Sequence, residues 1–123
     1  MSSEFRFYRK KEGVEEKIRQ VLEKEDVLLA VIFGSFVEMD SFRDVDVAVY
    51  STNKNLKFYL RLGVRLEDEL SLPVDVVPID FLPAKFRHYV LTKGKVILEK
   101  QPGLYEALFL NTLDEISLLE NSA

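Results

Sequence analysis

The chain contains no cysteine, so disulfide frameworks, thiolate metal sites and cysteine nucleophiles are all excluded. It holds a single histidine, His88, which rules out a multi-histidine metal centre. Long apolar runs are missing as well: Val27 to Phe33 is the longest at seven residues, against the roughly 20 that a membrane-spanning helix needs. Met1 to Lys11 carries charges of both signs and no apolar stretch, so it does not read as a secretion signal, and the expected location is the cytoplasm. A basic excess is absent too, with 17 Lys+Arg against 21 Asp+Glu. No general electrostatic grip on DNA is therefore expected, although phosphates of a nucleotide can still be held locally by backbone groups and metal. What is present, 123 residues of which 47% are apolar and 31% charged, suits one soluble globular domain with a core of its own.

Periodicity divides the chain into alternating helices and strands. Val14, Ile18, Val21 and Leu22 share one helical face between Gly13 and Lys24. Val27 to Phe33 is a continuous apolar run closed by Gly34-Ser35, the pattern of a strand buried on both faces. Asp44 to Tyr50 alternates, with Val45, Val47 and Val49 on one side and Asp44, Asp46, Ala48 and Tyr50 on the other. A second helix is predicted from Leu56 to about Leu70, stopped by Pro73, and Val74 to Pro78 is a third short strand. Pro83 starts a further helix to about Thr92, Gly94 ends it, and Lys95 to Leu98 is an edge strand. Leu104 to Glu120 is helical, with a wide stripe of Tyr105, Leu108, Phe109, Thr112, Leu113, Ile116 and Leu119 whose first reading is core packing. The expected fold class is α/β or α+β: a small mixed sheet flanked by helices.

Three features could carry chemistry. Gly34-Ser35 closes a buried strand, where a glycine lets the chain turn sharply and lets an anion approach backbone N–H groups; the alternative is an ordinary turn. Asp44-Val45-Asp46 sets two carboxylates on the same face of a strand otherwise built for a core. A divalent cation would relieve their repulsion; the alternative is a hydrated strand end. Asp75, flanked by Val74 and Val76 in a run that resembles a central strand, needs a partner or a task. If its strand lies beside the one carrying Asp44 and Asp46, three carboxylates converge as in a two-metal phosphoryl-transfer site. Arg43 and Arg87 could each touch a phosphate or balance neighbouring acids. His88 reads as structural or exposed, and Arg6, Arg9, Lys10 and Lys11 as a solvated basic arm.

Taken in order, Phe33-Gly34-Ser35, Asp44-Val45-Asp46-Val47-Ala48-Val49 and Val74-Asp75-Val76-Val77 resemble the minimal nucleotidyltransferases (MNT) of the DNA polymerase β superfamily. Phe81-Leu82-Pro83 to Gly94-Lys95-Val96-Ile97-Leu98 resembles the tail of these domains. The resemblance implies a polymerase β-like fold over residues 1–123, with a core of about 14–98 and a C-terminal helix of about 104–120. It implies transfer of a nucleoside monophosphate, AMP from ATP, to a hydroxyl of a protein or RNA. Gly34 and Ser35, with Arg43, would hold the triphosphate; Asp44 and Asp46 would bind Mg²⁺; Asp75 would bind metal or activate the acceptor. It further implies a helical HEPN-type partner, as in MntA-like antitoxins of HEPN/MNT pairs. A partner or homodimer contact would be sought on the exposed part of the last helix. Two departures stand against the family pattern. Phe36-Val37-Glu38-Met39 occupies positions where a small residue and a second glycine are common, and the interval from Ser35 to Asp44 is short. They keep open a second reading, an antitoxin-like subunit that acts by contact alone, and a metal-dependent nuclease or phosphohydrolase ranks third.

Overall fold

The computed structural model describes residues 8–9 and 12–122. The apolar face foreseen for the first helix is buried in full: Val14, Ile18, Val21 and Leu22 of α1 (Val14–Glu23) face the sheet. The strand that follows, β2 (Leu29–Phe33), is buried at all five positions. Its ladder begins later than the apolar run, because the Val27 amide is taken up in a turn by the Glu25 carbonyl at 2.8 Å. A short helix α2 (Ser35–Glu38) and two short strands, β1 (Tyr8–Arg9) and β3 (Ser41–Phe42), form an antiparallel annex that periodicity could not resolve. β4 (Val45–Tyr50) then runs antiparallel to β2. Asn55 caps α3 (Leu56–Leu70) by accepting the Lys57 amide at 3.0 Å. The helix carries the chain over to β5 (Val74–Pro78), parallel to β4. A 3₁₀ turn (Ile79–Phe81), α4 (Ala84–Lys93), β6 (Lys95–Glu99) and α5 (Leu104–Asn121) complete the order.

The main sheet is ordered β5-β4-β2-β6, so the continuous apolar run of β2 and the alternating β4 occupy its centre. Alternation along them separates two cores. Ala30, Ile32, Val45, Val47 and Val49 meet α1 and α3, whereas Leu29, Val31, Phe33 and Ala48 meet Ile79 and the α4 residues Val90 and Leu91. β6 is the edge strand expected. β5, whose valines suggested a central strand, is the opposite edge, paired with β4 alone. Pro78, which cannot donate to a further ladder, suits that place, and α3 covers its inner face. Gly94 is where α4 meets β6: a Cβ there would stand 2.4 Å from the Val90 carbonyl and 2.6 Å from Val31 Cγ1, so only glycine lets the chain turn so close to the sheet.

The last helix departs from the core-packing expectation. Leu104, Tyr105, Leu108 and Phe109 pack on the second core, but Thr112 is the only α5 residue that is fully buried. Leu110, Leu113, Leu118 and Leu119 are exposed. Polar ties hold the helix in place. Arg87 is buried, its Nε donating to Thr112 Oγ1 at 2.7 Å and its other nitrogens to the Leu82 carbonyl and the Glu115 carboxylate. The phosphate reading of Arg87 is thereby corrected: a buried guanidinium has to be fully paired, and this one spends its donors on joining α4 to α5. His88 stacks on Phe109 with ring centroids 5.8 Å apart, the structural reading of that residue. Arg9 is exposed on β1, and the rest of the basic arm, Arg6, Lys10 and Lys11, lies outside the described residues. No described helix is long and apolar enough to cross a membrane.

Candidate active site

The register of three strands builds the site. Asp46 on β4 pairs with Asp75 on β5 and, on its other side, with Phe33, the last residue of β2. Side chains paired directly across a ladder share a face, so the two acids and the Phe33 ring stand together on the α4 side of the sheet. Asp44 precedes β4, and the Val45 amide, bound at 2.9 Å to the Pro73 carbonyl, locks that strand start against the start of β5. Asp44, Asp46 and Asp75 each offer a carboxylate oxygen within 4.8 Å of the others. The first two are half-buried and the third exposed.

Gly34 presses against this cluster. Its φ of 82° and ψ of −154° lie in a region essentially reserved for glycine, and a Cβ there would stand 2.6 Å from Asp46 Oδ2. Ser35 opens α2 immediately beyond. The residues that depart from the family pattern have structural tasks here. Phe36 is buried edge-to-face on Phe42 at 4.8 Å, anchoring the short helix to the first core. Val37 packs on that core, and the Glu38 carboxylate accepts a hydrogen bond from the Tyr89 hydroxyl of α4. Met39 is exposed. Arg43, adjoining Asp44 in the chain, is exposed.

Crowding leaves an electrostatic mark. Asp46 is pushed up from 3.8 to about 6, chiefly because burial strips water from its charge, and further because Asp44 and Asp75 repel it. Among the described residues no positive group offsets this rise. The donors are all hard carboxylate oxygens, partly open to solvent, and they fit a hard divalent cation of the Mg²⁺ type, which keeps water and phosphate oxygens among its ligands. His88 is engaged with Phe109, on the α5 side of α4, and so supplies no base to a nuclease-like centre.

Two residues were missed by the sequence reasoning. Phe86 and Tyr89, three apart on α4, stack with centroids 5.8 Å apart, and Phe86 also meets Phe33 edge-on at 5.8 Å. The Tyr89 hydroxyl is held above its ordinary range, first by its bond to Glu38, then by burial and by the charges of Glu38 and Asp46. Pro83 and Gly94 marked this segment as a helix, but nothing in it told which of its faces would meet the end of β2.

Among known proteins, the family model described as polymerase beta nucleotidyltransferase matches residues 16–103. No curated protein matches the chain. Among solved structures, a chain from a toxin–antitoxin crystal structure with AMP-PNP superposes with a TM-score of 0.77 at 23% identity, covering 88% of this chain and 90% of that one. One from the toxin–antitoxin MntA–HepT gives 0.74 at 21% identity, with coverage of 91% and 92%. A third, from a tri-AMPylated Shewanella oneidensis HEPN toxin in complex with MNT antitoxin, gives 0.73 at 22% identity, with coverage of 89% and 88%. At these identities the likeness is one of fold.

Proposed function

Because the chain belongs to the polymerase beta nucleotidyltransferase family, we propose that it transfers AMP from ATP to a hydroxyl of a protein or RNA acceptor and releases pyrophosphate. The observation that carries this reading is the meeting of Asp44, Asp46 and Asp75 within 4.8 Å, with Gly34 pressed against Asp46. Asp44, Asp46 and Asp75 would hold Mg²⁺, which when bound neutralises triphosphate charge and stabilises the leaving oxygen. Gly34 and Ser35 cradle the triphosphate: the glycine leaves room for it against the strand end, and the serine presents its amide and hydroxyl. Arg43, exposed and next to Asp44 in the chain, adds positive charge for a phosphate oxygen. In the reaction the acceptor oxygen bonds to the α-phosphorus, the bond from that phosphorus to the α,β-bridging oxygen breaks, and pyrophosphate departs. The acceptor's proton passes to Asp75, the most exposed of the three acids and so the one an incoming hydroxyl can reach.

The acceptor we favour is a hydroxyl on a helical HEPN-type protein, this chain acting as the antitoxin, in line with the complexes whose fold it shares. Residues 1–123 then form a single domain. The exposed leucines of α5 support a second reading, contact-only neutralisation of such a partner. Intact-mass analysis of a co-expressed HEPN-type partner, incubated with ATP and Mg²⁺, separates the two. The enzyme reading requires added AMP groups with the wild type and none with the Asp44→Asn/Asp46→Asn double variant; an unmodified yet neutralised partner would favour contact alone.

A further inference from the structure

The carboxylates and the Gly34-Ser35 turn account for the phosphate end of a nucleotide and leave its base without a seat. Phe86 is 42% exposed, although a phenylalanine on a helix that packs against a sheet would ordinarily turn inward. It is nonetheless held in a fixed orientation. Its edge-to-face contact with Phe33 and its stack on Tyr89 each have centroids 5.8 Å apart, and Tyr89 is tied through its hydroxyl to Glu38 of α2. Phe33 is the ladder partner of Asp46 and directly precedes Gly34. The exposed ring is therefore separated from Asp46 by one side chain, Phe33, on the same side of the sheet, so that a nucleotide with its phosphates at the carboxylates can extend its base toward it.

We propose that Phe86, braced by Phe33 and Tyr89, is the platform on which the nucleobase of the donor nucleotide stacks, and that it favours purines. This rests on the nucleotidyltransferase reading above. The chemistry suits the place. A base is neutral and flat, so it is not repelled by the neighbouring acids as a second anion would be, and a purine overlaps a phenyl ring more fully than a pyrimidine does. A platform made of one ring reads the shape of the base and not its hydrogen-bonding edge.

The test uses the full chain with Mg²⁺, comparing ATP, UTP and inorganic tripolyphosphate as probes. Phe86→Ala should weaken ATP by about tenfold, the usual worth of one stacked base, should narrow the preference for ATP over UTP, and should leave tripolyphosphate unchanged. Phe86→Leu keeps the apolar contacts with Phe33 and Tyr89 but offers no π face, and should behave as Phe86→Ala does. Phe86→Trp should retain ATP binding. As the chain has no tryptophan of its own, that variant also reports directly: its fluorescence should be quenched by ATP and not by tripolyphosphate. Unchanged ATP affinity in Phe86→Ala and Phe86→Leu, or absence of quenching while ATP still binds, would overturn the platform and leave the nucleotidyltransferase reading standing. Failure of the wild type to bind either ATP or tripolyphosphate with Mg²⁺ would overturn both.

Discussion

Replacing Asp46 by Asn should stabilise the metal-free protein, although Asp46 is one of the three acids that the proposed reaction uses. Its carboxyl titrates at about 6 in the fold against 3.8 for an unperturbed group, so between those values the folded state binds the extra proton. Stability is therefore lost as pH rises from about 4 to about 6, and the penalty stays constant above that. At about 1.36 kcal/mol for each unit the full shift would cost about 3 kcal/mol, and water reaching this half-buried group lowers the expected figure to about 1–2 kcal/mol. Asn has the same shape and no charge, so it preserves the contact with Gly34 and removes the penalty. For a chain of this length the gain amounts to a rise in Tm of about 3 to 8 °C at pH 7.5. The assay is thermal unfolding followed by circular dichroism in EDTA at pH 4, 5, 6 and 7.5, wild type against Asp46→Asn. The difference should grow through the window and vanish near pH 4, and added Mg²⁺ should raise the wild type more than the variant. A variant less stable than wild type at pH 7.5, or a difference that does not change with pH, would refute the reasoning.

Other positions give further expectations. Gly34→Ala forces a Cβ to within 2.6 Å of Asp46 Oδ2 at a backbone conformation that suits only glycine, so it should cost about 1–3 kcal/mol in urea unfolding and weaken ATP binding. Phe36→Ala, at the position where the family often has a small residue, should destabilise by about 3–5 kcal/mol, because the ring is buried against Phe42; a neutral result in the same assay would make the departure from the pattern a matter of function. Arg87→Ala should cost about 2–4 kcal/mol and should expose α5 to limited proteolysis ahead of the rest of the fold, since the buried guanidinium joins Thr112, Leu82 and Glu115.

Much of this was legible in the chain because period-2 and period-3.6 patterns coincide with burial on both faces of one sheet. Val45, Val47 and Val49 do face one core while Ala48 faces the other, and Asp46 does meet Asp75. That meeting depended on β4 and β5 being neighbours, which no local pattern states; it had to be supposed, and the parallel register supplied it. The site's aromatic wall was not legible. Phe86 and Tyr89 are ordinary helix residues until the crossing of α4 over the end of β2 turns them toward the acids. α5 misled in the opposite direction: its apolar stripe is wide enough for a core helix, yet the helix packs chiefly on α4 and not on the sheet, so Leu110, Leu113, Leu118 and Leu119 stay exposed. Arg87 shows the same limit for charge, since a lone arginine in a helical stretch carries no sign of whether a phosphate or a neighbouring helix will receive it.

The central claim is that the three carboxylates form a metal-dependent nucleotide site. Calorimetric titration of ATP into the wild type and the Asp44→Asn/Asp46→Asn variant, each with Mg²⁺ and with EDTA, tests it most directly. The account predicts binding by the wild type with Mg²⁺ and none in the other three combinations. Equal binding by the double variant, or binding that survives EDTA, would contradict it.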